Sequence, residues 1–338
     1  MERGKGMKVL FIGNMIGVGS VGEEADERHI TRCLDQTGTQ TITVDRGEIH
    51  AFFTGAKKDN IPEPQDFDVI VLCKWHHFTE EIIKGIKERY KAPIVYWVWD
   101  WMWKHKEEGG RTVDWHKMLL KNTDLYVSGE LGMADKIKEL GGKFQYFNWD
   151  SSDGQYDQLP RDEKYDVTFT GSYIPHSYRN EYLKAIHDKF NLTIFSHDFE
   201  TWRKEGFNAE AGKYAGEFNQ ISAQSKVMVV MNWVSPSKET IGYQSNRIGK
   251  ILTTGGLPLV HYFPLAERLL GDNVMFFYNI PDMLNKIDWL LGHPEQRETQ
   301  RVKSYDFGRR EYTTQTRMRQ FKTLLENFVL EYNSSSTS

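Results

Sequence analysis

YDVTFTGSYIP, residues 165–175, runs from an apolar β stretch into Gly171-Ser172, and the helical pattern RNEYLKAIHDKF follows it. A strand, a glycine-bearing turn and a helix form the unit that opens a doubly wound α/β domain. The same unit stands at the N-terminus, where MKVLFIGNMIGVGS (7–20) precedes EEADERHITRCLDQ. The chain therefore starts one pattern twice.

Between the two starts come FDVIVLCKW (67–75), a helix over 79–90, APIVYWVWD (92–100), TDLYVSGE (123–130), a helix over 132–140 and KFQYFNWD. Beyond the second come NLTIFSH (191–197), SKVMVVMNW (225–233), SNRIGKILTTGGLPLVHYFPLAERLL (245–270), NVMFFYN (273–279) and a helix over 281–291. The apolar runs are nearly continuous, as in parallel strands covered on both faces. DSSDGQYDQLPRDEK (150–164) is polar with Gly and Pro and reads as a linker. The expected fold is α/β, two facing Rossmann-like doubly wound domains over 1–149 and 165–305, with a cleft at the carboxyl ends of their strands. A single amphipathic helix over 306–332 is expected to pack back on the N-terminal domain, with 333–338 a disordered tail.

The 338 residues carry a formal net charge of −4, and the 43 Lys and Arg form no long block, so nothing marks a general polyanion binder. Cys33 and Cys73 lack CxxC spacing and read as two buried thiols. No apolar run is long enough to span a membrane and the start lacks a signal-peptide core, so a cytoplasmic location is expected.

The C-terminal half resembles the group-1-like glycosyltransferase domain of spore-maturation (CgeB-like) proteins and their phage relatives. The resemblance rests on Asp166-Val167 through Gly171-Ser172 with Arg179, then Arg247, Gly255-Gly256, LPLVHYFPLAE, NVMFFYN, HPEQR and an Arg-rich close. It covers roughly residues 165–325. It implies the GT-B fold and a nucleotide-activated sugar donor, with the N-terminal domain taking the acceptor. Where the family places a Glu thought to hold the ribose, this chain has Lys250, which cannot accept those hydrogen bonds.

Sugar transfer needs cations and amide donors for the leaving diphosphate, and in inverting enzymes a base for the acceptor hydroxyl. The helix starting near Ser245 offers free N–H groups, Arg247 a forked donor and Lys250 a point charge. Gly171 and Ser172 allow close backbone approach. Tyr173, Tyr243 and Asn246 flank them in the expected donor set, with His197 and Trp202 as candidates for the nucleobase wall. Asp100 is the first candidate base, surrounded by Trp97, Trp99, Trp101 and Trp103, which would desolvate it; a helix N-cap is the competing reading. Glu130 is the second candidate and His76-His77 the third. Gly17, Gly19, His76 and Trp101 are expected on the acceptor side.

GVGSVG (17–22) fits a dinucleotide motif taken alone, with Asp45 as its acidic partner, but the loop is longer than that motif's tight turn. No DxD follows a strand and the histidines show no ligand spacing, so neither a metal nor a tightly bound cofactor is expected beside a UDP-sugar co-substrate. Three rivals remain. They are a phage-type transferase acting on a hydroxymethylated DNA base, a non-catalytic nucleotide-sugar-binding protein, and a Rossmann oxidoreductase.

Overall fold

Both strand–turn–helix units form in the computed structural model, and each opens a separate unit of the chain. Met1–Trp149 with Thr314–Ser338 makes the first, Asp150–Thr313 the second. The structure describes residues 6–15, 26–56, 61–74, 78–99, 113–148, 162–212, 215–232, 234–235 and 240–336.

The first unit alternates β1 (Lys8–Gly13), α1 (Asp26–Asp35), β2 (Gln40–Asp45), α2 (Arg46–Phe53), β3 (Val69–Cys73), α3 (Glu80–Tyr90), β4 (Ile94–Val98), α4 (Val113–Asn122), β5 (Leu125–Ser128), α5 (Ala134–Glu139) and β6 (Phe144–Tyr146). The strands pair in parallel in the order β2-β1-β3-β4-β5-β6. Every residue of β3 and β4 is buried, the result expected of continuous apolar runs inside a doubly wound sheet.

The second unit runs β7 (Tyr165–Thr170), α6 (Tyr178–His187), β8 (Leu192–Ser196), α7 (Phe199–Lys204), β9 (Ala209–Ala211), α8 (Ala215–Gln224), β10 (Ser225–Val230), α9 (Arg247–Thr254), β11 (Pro258–His261), α10 (Ala266–Leu270), β12 (Met275–Phe277), α11 (Ile280–Gly292) and α12 (Pro294–Glu311). Its parallel order is β12-β11-β10-β7-β8-β9. Counted from β7, that is the Rossmann order, whereas the first sheet follows the flavodoxin-like order with one strand added. α9 ends on Gly255 at φ 80, a left-handed position where a side chain would be strained. Arg301 of α12 donates to the Gly255 carbonyl that this turn exposes.

The closing stretch departs from the expected single helix over 306–332. α12 begins earlier and ends at Glu311, and α13 (Thr314–Ser336) is a separate element counted with the first unit. Tyr312 stands at the break. It is buried in the second unit's core, and its hydroxyl meets Gln244 at 3.5 Å and the Leu269 carbonyl at 3.4 Å. α13 places Met318, Phe321, Leu325, Phe328 and Val329 in the first unit's core. Phe321 stacks on Trp97 at 4.1 Å between centroids. Among the described residues no helix is long and apolar enough to cross a membrane.

Candidate functional site

In each sheet the strand order reverses once, between β1 and β3 in the first and between β7 and β10 in the second. Crevices at the carboxyl ends of such strands are where doubly wound folds bind ligands.

In the second unit β7 delivers Gly171, Ser172 and Tyr173 to that point. A Cβ on Gly171 would stand 2.9 Å from the Phe169 ring and 3.5 Å from an Arg179 guanidinium nitrogen, so only glycine fits there. Trp202 is wholly buried beneath it, and its Nε1 donates to the Gly171 carbonyl at 3.3 Å. The expected place of Trp202 in a nucleobase wall is thereby corrected. It packs against Tyr173 and Phe207 as core and leaves no face for a base. His197 is largely exposed after β8, with Nε2 3.2 Å from Asp198.

At the start of α9 the side-chain bond to the first amide comes from one residue further back than the N-cap position. Asn246 is already in the helical region and gives no capping bond. Ser245 accepts from the Arg247 amide at 3.4 Å and from its guanidinium at 3.1 Å. Arg179, in the first turn of α6, is 2% exposed, donates to the Ser172 carbonyl at 3.1 Å, and has an Nε without a partner. Burial pushes the Arg247 pKa down to about 10; the Arg179 charge adds to the fall and Tyr243 opposes it. Burial lowers Arg179 as well. Among the described residues no carboxylate forms an ion pair with either arginine, so two cations sit together, drawn out of water and unneutralised. Lys250 lies on the next turn of α9, half-buried.

Arg179 marked the resemblance but had no role from the sequence. An Arg in the first turn of a helix gives no sign that it turns inward. Beside it Asn232, Tyr178 and His261 were also missed, since Asn232 and His261 each sit singly in an apolar run and Tyr178 sits in a polar helix start. His261 ends β11, stacks on Phe277 at 4.9 Å, and burial brings its pKa down to about 4.

In the first unit Asp100, Gly17, Gly19, His76 and Trp101 lie outside the described residues, as do His77 and Trp103. Trp97 and Trp99 share one strand face and join the core with Phe147 and Phe321. Glu130 is 1% exposed and caps the short 3-10 turn Leu131–Met133, accepting from the Gly132 amide at 2.6 Å. Asp45 caps α2 through Gly47 and also accepts from the Met15 amide, both at 2.8 Å, which commits its two oxygens to the fold rather than to a ribose. Glu27 was missed. It is buried in the first turn of α1 beside Gly13, and burial raises its pKa against the pull of Lys74. Among the described residues no group of three His, Cys, Asp or Glu side chains is placed to hold a metal.

Residues 179–323 match the family model described as glycosyl transferase-like. No curated protein sequence matches the chain. Among solved structures, sucrose-phosphate synthase from Thermosynechococcus elongatus superposes with TM-score 0.68 at 11% identity, covering 96% of this chain and 100% of that one. The HepE protein of Anabaena in complex with UDP and glucose gives 0.63 at 12%, covering 95% and 100%. T4 phage BGT in complex with its UDP-glucose substrate gives 0.60 at 13%, covering 97% and 99%. Identities this low speak for the fold alone. Residues 179–323 thus resemble the glycosyl transferase-like family, and the chain that carries them has the two-domain α/β GT-B fold.

Proposed function

We propose that this protein is a glycosyltransferase that moves a hexose from a UDP-sugar to an acceptor hydroxyl. The observation that carries the reading is the pair Arg179 and Arg247, without a carboxylate partner among the described residues, at the start of α9. A diphosphate supplies the negative charge that such a pair lacks. The helix start adds the positive end of its dipole. As the glycosidic bond breaks, charge grows on the departing diphosphate, and cations already fixed in place stabilise that change without reorganising. With a pKa of about 10 Arg247 is still charged at neutral pH.

In this reading Ser172, Ser245 and Lys250 complete the diphosphate site. Tyr173, His197, Tyr243, Asn246 and the backbone at Gly171 border the donor. In the first unit Asp100 takes the proton from the acceptor hydroxyl, with Glu130 as the second carboxylate. Gly17, Gly19, His76 and Trp101 face the acceptor.

Isothermal titration with UDP and with UDP-glucose tests the donor site, and saturable binding at one site per chain is expected. Binding of NAD in place of UDP would overturn the reading. For the base, slow hydrolysis of UDP-glucose with water as acceptor is the readout. Asp100→Asn should keep UDP affinity and lose turnover by a factor of roughly 100 or more. Near-normal hydrolysis would remove Asp100 from the role.

A further inference from the structure

Two guanidiniums held close in a desolvated place repel each other, so neutral groups must fix their separation. The second sheet contains a hydrogen-bonded chain placed to do this. Asn232 follows β10 and is 7% exposed. Its Nδ2 donates to the Tyr243 carbonyl at 2.7 Å, and its own carbonyl accepts from the Tyr178 hydroxyl at 2.8 Å. Tyr243 lies just before Ser245, whose hydroxyl holds both the amide and the guanidinium of Arg247. Tyr178 and Arg179 are consecutive in the first turn of α6. One residue at a strand end therefore ties down the peptide that starts α9 and the turn that carries the second arginine.

We propose that Asn232 and Tyr178 are positioning residues, which set the spacing of Arg179 and Arg247 and so the fit of the site for a diphosphate. The inference rests on the reading that these two arginines bind the donor's phosphates. Every member of the chain is uncharged at neutral pH. Burial raises the Tyr178 hydroxyl well above its ordinary range, and His261, whose Nδ1 is 3.5 Å from that hydroxyl, has a pKa brought down to about 4. The chain thus adds no charge of its own to the anion site. Tyr178 is further held by Tyr182 at 5.9 Å and His261 at 5.5 Å between ring centroids, so its hydroxyl has little freedom to leave Asn232.

The test is a double-mutant cycle read in UDP affinity by calorimetry, with the full chain. Tyr178→Phe removes one oxygen and keeps the ring. It should weaken UDP binding roughly tenfold, because small misplacements of preorganised groups carry large penalties. In an Arg247→Met background there is no spacing left to set, and the same substitution should change affinity by less than about twofold. Asn232→Ala should behave alike, and if either variant fails to fold the other decides. An equal loss in both backgrounds would assign the residues a general structural role and overturn the proposal. So would unchanged UDP affinity in Tyr178→Phe and Asn232→Ala, and that outcome would leave the donor reading standing. If the wild-type protein binds no UDP, the donor reading fails and the proposal fails with it.

Discussion

Replacing Arg247 with Met should move stability and ligand affinity in opposite directions. In the free protein burial and the nearby Arg179 charge push the Arg247 pKa down to about 10. One pH unit on a pKa corresponds to about 1.4 kcal/mol, so keeping this side chain charged costs on the order of 3–4 kcal/mol. Part of it remains in water, which reduces the cost to ~1–2 kcal/mol. Met keeps most of the apolar stem and removes the charge. The lost hydrogen bond to Ser245, 3.1 Å long, offsets about 1 kcal/mol of that gain. Unfolding by urea should therefore show the variant equal to the wild type or more stable by ~1 kcal/mol. UDP binding should weaken roughly 10- to 150-fold, the loss of one charge-assisted contact worth ~1.5–3 kcal/mol. The advantage of the variant should vanish above pH 10. There the wild-type side chain gives up its proton in the folded state before the unfolded chain does, and folding regains what the charge had cost. A variant less stable by more than about 2 kcal/mol that binds UDP as the wild type does would refute this reasoning. Arg247 would then be a structural residue.

Two further outcomes follow from burial. His261, with its pKa near 4 when folded and about 6.5 when unfolded, takes up its proton first in the unfolded chain as pH falls. Wild-type stability should decline between those two values by up to ~3 kcal/mol, and His261→Gln should flatten that part of a pH series of urea midpoints. A slope unchanged by the substitution would place the titration elsewhere. Phe321→Ala empties a fully buried site stacked on Trp97 and should destabilise the first unit by ~3–5 kcal/mol in urea unfolding; a loss below about 1 kcal/mol would mean the helix does not close that core.

The strands were legible where burial on both faces left a continuous apolar run. VIVLC and IVYWV name themselves. β2 was not, because as an edge strand it alternates Thr with apolar residues and exposes part of both faces. β9 is Ala-Glu-Ala and gives no apolar signal at all. The break between the last two helices was hidden as well. Tyr312 suits an amphipathic pattern as well as any aromatic residue, yet its hydroxyl is held by Gln244 and Leu269, far away in sequence. At the candidate site, Arg247 was readable from its place at a helix start beside a sheet. Arg179 carries no local sign of its burial, and Asn232 matters for the groups at both its ends. Aromatic side chains misled twice. Trp97 and Trp99 look like the wall of a site and Trp202 like a base-stacking residue in the sequence, and all three fill core space where their large apolar area is removed from water.

The attachment of α13 to the first unit also sets an order on biosynthesis. The side chains of α13 complete a core whose other members lie within the first 150 residues of the chain. The first sheet has every one of its strands by Tyr146, but the core face that α13 covers stays open until that helix is made. Asp150–Thr313, by contrast, is one continuous segment that contains the whole of its own unit. Trp97 and Phe147 are therefore made ahead of Phe321, the residue that covers them, by the length of the whole second unit.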